Sequence, residues 1–209
     1  AGKCSVCSGP NGSTIQADVP DEYRHLLEGG LREAKGTCSL VCADAVLHRP
    51  MAPRSREPAS TTCALCQSWT ALALLRAGGT LVIRVEDTLG RCMSGLLLLL
   101  TACFHTLALV KPPSSSPLKP ERFVVCLRFT GQQSPHVMSV LRHLEQAMDR
   151  SASLAASPGM GVVEVVPMRV LLLSSVVKQL ALVNEQHLQE EVAAIRAFLR
   201  SRQSKTCVP

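Results

Sequence analysis

The chain has 209 residues and 22.4 kDa, with 22 Lys+Arg against 16 Asp+Glu, a formal net charge of +6. Apolar residues make up 46% and charged residues 18%, the latter below the roughly 25% of ordinary soluble domains, so a sizeable core is available and disorder of the whole chain is excluded. Aromatics are 3%, with Trp69 and Tyr23 alone of their kinds, which excludes a nucleic-acid surface built on rows of stacking rings.

Ten cysteines are present, of which Cys92, Cys103 and Cys126 sit in strongly apolar segments where a free thiol acts as a small hydrophobe. The chain does not open on a charged stretch followed by an apolar one and a small-residue cleavage site, so a reducing compartment, cytosol or nucleus, is expected. Its start at Ala1 rather than Met is expected of a fragment or a processed product. Cys4 with Cys7, and Cys63 with Cys66, each have the spacing of half a zinc site. Cys63 and Cys66 fall on a helix, Cys38 and Cys42 in a buried strand, and no paired histidines accompany them, so no metal site is expected.

Residues 1–37 are rich in Gly, Ser and charge, with a helical stretch over 22–35 that Gly29 and Gly30 weaken. This is read as a poorly structured leading segment. CSLVCA over 38–43 is a short apolar strand ending at Asp44, and HRPMAPRSREPAS over 48–60 is expected to be a surface loop. Apolar residues at helical spacing fill 61–77, where Gly78-Gly79 should stop the helix, and TLVIRVE over 80–86 is a strand carrying Arg84. The run GLLLLLTACFHTLALV over 95–110 has 16 residues with His105 inside it, short of the ~18 that a membrane span requires. It is read as a buried helix over 90–103 running into a strand over 106–110, with no membrane role.

KPPSSSPLKP over 111–120 is a loop, RFVVCLRF over 122–129 a fourth strand, and 135–150 an amphipathic helix. Helices alternating with apolar strands predict an α/β fold, mostly parallel with an antiparallel last strand. The whole of 38–150 is read as one half domain. A small-residue linker over 151–161 and a C-terminal unit over 162–209 follow, the latter a short strand over 162–166 and a long helix from Pro167 to about Arg200. That helix carries Leu188, Val192, Ile195 and Leu199 at spacings of 4, 3 and 4, a seam for packing on the sheet or on a partner helix.

This order of motifs resembles the second half of an FtsJ-like ribose 2′-O-methyltransferase: a strand ending in Asp, a helix leading to Gly-Gly and a further strand, then KPPSSSPLKPERFVVC over 111–126. The resemblance spans about residues 38–130. Within the family the chain is similar to the eukaryotic cap-specific messenger-RNA enzymes. MSGLLLLLTACFHTLALVKP, VVEVVPMRVLLL and the opening Lys3-Cys4-Ser5 resemble the degenerate C-terminal domain of the enzyme acting on the second transcribed nucleotide. The resemblance implies a Rossmann-like methyltransferase fold, apparently its C-terminal half with a helical extension, and S-adenosylmethionine as the family's methyl donor. It also implies capped messenger RNA as substrate and nuclear and cytoplasmic localisation.

Carried over by position, Asp44 stands at the family's catalytic acid, Arg84 at its second Lys and Glu121 at its Glu; the first Lys has no counterpart. Arg84 is a damaging departure, because a Lys amine can lose its proton and a guanidinium stays charged. The donor site needs a strand leading into a Gly-rich loop, and CSGPNG over 7–12 is read instead as a turn of Gly, Pro and Asn. The chain alone is therefore expected to bind no donor, and the three residues to be vestigial. Asp44 could equally cap a loop, and Glu121 pair with Arg122, Lys119 or Arg84. Arg49, Arg54 and Arg56 are the candidate phosphate contacts. An active, divergent methyltransferase, or an interaction module docking through the C-terminal helix to the remainder of the same enzyme or to a partner, are the alternatives. A half-sheet would expose an edge and an apolar face, so the isolated chain should be sticky or dimeric.

Overall fold

The computed structural model describes residues 20–45, 53–86, 88–116, 119, 121–154, 162 and 164–205, the side chains of 53–56 and 203–205 excepted. In chain order the elements are α1 (Pro20–Glu28), β1 (Cys38–Ala43), α2 (Pro53–Leu74), β2 (Leu75–Val85), α3 (Arg91–Cys103), β3 (Phe104–Val110), β4 (Arg122–Phe129), α4 (Pro135–Leu154), α5 (Met168–Leu173) and α6 (Ser175–Lys205). The four strands form one sheet in the order β1-β2-β4-β3. β1 and β2 are parallel, and β4 lies antiparallel between β2 and β3, so three strands share one direction. The expected antiparallel last strand is present, and it is inserted inside the sheet rather than added at its edge.

One face of the sheet is dry. Leu81, Ile83 and Val85 of β2 and Val124 and Cys126 of β4 alternate onto it and are buried, the period of two that a pleated strand imposes. They pack with Leu65 and Leu72 of α2, Leu96, Leu97 and Leu100 of α3 and Val137, Leu144 and Met148 of α4 in a single cluster. Burial of this kind supplies the main favourable contribution to folding, on the order of 1.5–3 kcal/mol per large apolar side chain. The run over 95–110 is a buried helix passing into a strand, and no helix of the described residues is long and apolar enough to cross a membrane. Gly95 lies where a Cβ would come within 2.8 Å of a Val165 methyl, which lets residues 165 and 166 close over α3.

Several elements depart from the sequence reading. α2 begins at Pro53, inside the expected loop over 48–60. Proline is tolerated in the first turn of a helix, where its missing N–H is unpaired anyway, and Pro58 is carried by the packing of Ala59 and the residues after it. Gly78-Gly79 does not cap a helix; it lies within β2. Gly78 takes a φ of 77°, and a Cβ on Gly79 would meet the Arg76 carbonyl oxygen at 2.9 Å and that of Cys38 at 3.2 Å. The glycines thus shape the sheet at a register shift between β1 and β2. Described residues of 162–166 form no strand, and the helix expected from Pro167 is broken at Ser174, whose Oγ accepts the Val176 N–H. In the leading segment, α1 buries Tyr23 and Leu27 and ties Arg24 to Asp149 of α4.

Candidate functional site

The carboxyl ends of β1, β2 and β3 and the start of β4 meet at one end of the sheet, because β4 runs antiparallel and pairs Arg122 with Val85 and Phe123 with Val110. This end brings together the three residues that sequence singled out. Arg84, second from the end of β2, extends Nη2 to Glu121 Oε2 at 2.7 Å and Nη1 to Asp44 Oδ1 at 3.4 Å. The Asp44 carboxylate is well exposed, whereas Glu121 and Arg84 are largely covered, with side chains 17% and 21% accessible. Of the pairings open to Glu121 in the sequence, the one with Arg84 is formed.

Ser115 Oγ donates a hydrogen bond of 2.7 Å to Glu121 Oε1. That bond, with the positive charges of Arg84, Lys119 and Lys111, holds the Glu121 carboxyl below the usual glutamate range. Behind it lies a second ion cluster: Glu191 of α6 accepts from Arg122 Nη2 at 2.9 Å and lies 3.4 Å from Lys111 Nζ, which also donates to the Lys119 carbonyl. Ser115, Lys111 and Glu191 were not foreseen as site residues. The first two lie in the quoted loop KPPSSSPLKP, where the motif was a signal for them; Glu191 is one charge among many on a helix, and nothing local marks it.

The arrangement sets one fixed cation between two carboxylates. Carboxylates on two sides hold a cation at the sheet end, the layout that would orient a Lys amine acting on a hydroxyl, but a guanidinium keeps its proton and cannot serve as base. Arg84 can offer only a fixed positive charge, and both its terminal nitrogens already face carboxylates.

Of the proposed phosphate contacts, Arg49 lies outside the described residues. Arg54 and Arg56 stand in the first turns of α2 rather than in a loop, their side chains outside the description. CSGPNG, Cys4 and Cys7 also lie outside it. Among the described residues no group of three or more His, Cys, Asp or Glu side chains could hold a metal ion. Cys63 and Cys66 are buried in α2, and burial pushes the thiols of Cys92, Cys103 and Cys126 up to about 12, which suits packing rather than thiolate chemistry.

The FtsJ-like methyltransferase family profile matches residues 6–129, more than half of the chain. The chain belongs to the FtsJ-like methyltransferase family. Its fold is accordingly the Rossmann-like fold of that family, with the antiparallel strand seen here. Over 62 residues it is 44% identical to cap-specific mRNA (nucleoside-2′-O-)-methyltransferase 1 of Drosophila melanogaster, covering 30% of this chain and 8% of that protein. Over 139 residues it is 27% identical to the inactive cap-specific mRNA (nucleoside-2′-O-)-methyltransferase 1B of Caenorhabditis briggsae, 66% of this chain and 16% of that one. Over 100 residues it is 30% identical to cap-specific mRNA (nucleoside-2′-O-)-methyltransferase 2 of Pongo abelii, 48% and 13%. The likeness thus extends to the enzymes numbered 1 as well as 2, and the matches cover less than a fifth of those proteins.

FtsJ-like enzymes take their methyl group from S-adenosylmethionine, whose site requires backbone N–H groups in a Gly-rich turn after a strand. The described residues do not fit that requirement: β1 leads to Asp44 and Ala45, and the turn after β2 contributes Gly90, which opens α3 with extended backbone.

Proposed function

We propose that this chain is a degenerate FtsJ-like unit that supports ribose 2′-O-methylation of capped messenger RNA without performing it. The observation that carries the reading is the side chain at position 84: a guanidinium stands in an otherwise complete carboxylate frame, held by Asp44 and Glu121. The frame has become a structural ion cluster that joins β1, β2 and the loop before β4. RNA positioning rests on the net positive charge of the chain and on Arg49, Arg54 and Arg56, which supply cations for phosphate. The inactive relative supports the same reading. The relatives are numbered both 1 and 2; the resemblance of MSGLLLLLTACFHTLALVKP and VVEVVPMRVLLL to the enzyme acting on the second transcribed nucleotide favours that nucleotide. Nuclear and cytoplasmic residence belongs to the same reading.

The test is binding of the purified chain to capped and uncapped RNA oligonucleotides across a salt series, with methyl transfer measured in parallel. The reading predicts salt-dependent binding, a shallower salt slope in a variant with Arg49, Arg54 and Arg56 changed to Gln, and no transfer. Methyl transfer by the unaltered chain would favour an active, divergent enzyme using Arg84 as a fixed clamp, and absence of RNA binding by a folded sample would remove the positioning role.

A further inference from the structure

α6 is docked along only part of its length. Leu180, Asn184, His187 and Glu191 turn toward the body, Asn184 accepting a hydrogen bond of 2.7 Å from Thr88 and Glu191 pairing with Arg122. Every residue from 195 to 202 is exposed, so the last turns extend past the domain. The apolar seam foreseen in the sequence is not covered by the sheet: Leu188, Val192, Ile195 and Leu199 are 58%, 36%, 44% and 54% exposed.

The seam is flanked by opposite charges in a pattern that reads the same from both ends. Glu185 precedes Leu188 by three residues and Arg202 follows Leu199 by three, so positions 185, 188, 192, 195, 199 and 202 are spaced 3, 4, 3, 4 and 3. Turned end for end about its midpoint, the helix lays Leu188 on Leu199, Val192 on Ile195 and Glu185 on Arg202. A two-fold axis has this property: if one residue meets another, the second meets the first on the partner. Spacings of 3 and 4 are those of a two-helix seam, and a carboxylate at one end facing a guanidinium at the other favours antiparallel over parallel pairing, which would stack like charges.

We propose that α6 is a dimerisation helix, and that two copies of this chain pair antiparallel through Leu188, Val192, Ile195 and Leu199 with Glu185 of each copy against Arg202 of the other. The partner's helix takes the exposed stripe beside the docked face, so dimerisation leaves the Glu191–Arg122 contact in place.

The experiment is sedimentation equilibrium of the full 209-residue chain over a concentration series, with circular dichroism confirming that each variant is folded. A monomer–dimer equilibrium is expected for the unaltered chain, and Leu199→Glu should abolish it without loss of helical signal. Glu185→Arg and Arg202→Glu should each weaken the dimer several-fold by facing like charges, and the two changes together should restore it. A monomer at every concentration, a dimer untouched by Leu199→Glu, or single charge changes whose combination fails to restore association would each overturn the proposal.

Discussion

α3 and α6 both carry several large aliphatic side chains, and the fold treats them in opposite ways. α3 sits between the sheet and α4, with Leu96, Leu97 and Leu100 almost wholly inaccessible; α6 touches the domain through a mixed polar edge and leaves its apolar stripe in solvent. The core closes without that stripe. Apolar content therefore does not tell which helix stabilises the domain; the difference lies in whether the neighbouring strands reach the same residues. Changes in α3 should read out in stability, and changes in α6 in association.

The largest effect is expected from Leu100→Ala, which empties a fully buried position and should cost about 2–5 kcal/mol in urea unfolding; a cost below ~1 kcal/mol would show that α3 is not the packed helix described. Next is Gly79→Ala. Its Cβ would press on the Arg76 and Cys38 carbonyl oxygens, backbone atoms that cannot swing aside, so a loss of about 1–3 kcal/mol is expected, seen as a lowered thermal midpoint. A smaller, pH-dependent effect belongs to Glu121. Its folded carboxyl titrates below the ordinary range, so it stabilises the fold above the unfolded pKa and that contribution fades as pH falls through the folded value. Ser115→Ala removes the largest cause of the shift; the stability difference from the unaltered chain should be present at neutral pH and shrink in acid, and a difference independent of pH would assign the loss to packing instead. Least affected is the fold of Leu199→Ser, expected to stay within ~0.5 kcal/mol because the site is exposed.

Much of the architecture was legible from local pattern. β1 at CSLVCA, α3 passing into β3, and β4 at RFVVCLRF follow from short apolar runs bounded by loop residues, whereas Asp44, Arg84 and Glu121 are marked by the resemblance to the family's motifs and not by any local pattern. Where the reading failed, long-range packing overrode a local signal. Pro53 and Pro58 look like breakers, yet the turn between them is helical because the residues after them are buried on the sheet. Gly78-Gly79 looks like a helix stop, but the glycines are needed where β2 passes close to the Cys38 carbonyl. The place of β4 inside the sheet, and the meeting of Glu191 with Arg122, 69 residues away in sequence, depend on pairing between distant segments that no local window contains.

Under the proposed function, position 84 and the donor site have both departed from catalysis. Calorimetric titration of the folded chain with S-adenosylmethionine, repeated with S-adenosylhomocysteine, tests it most directly. No saturable heat is expected with either compound, whereas micromolar binding of the donor would overturn the proposed function and make CSGPNG a donor loop and Arg84→Lys a variant to examine for a gain in rate.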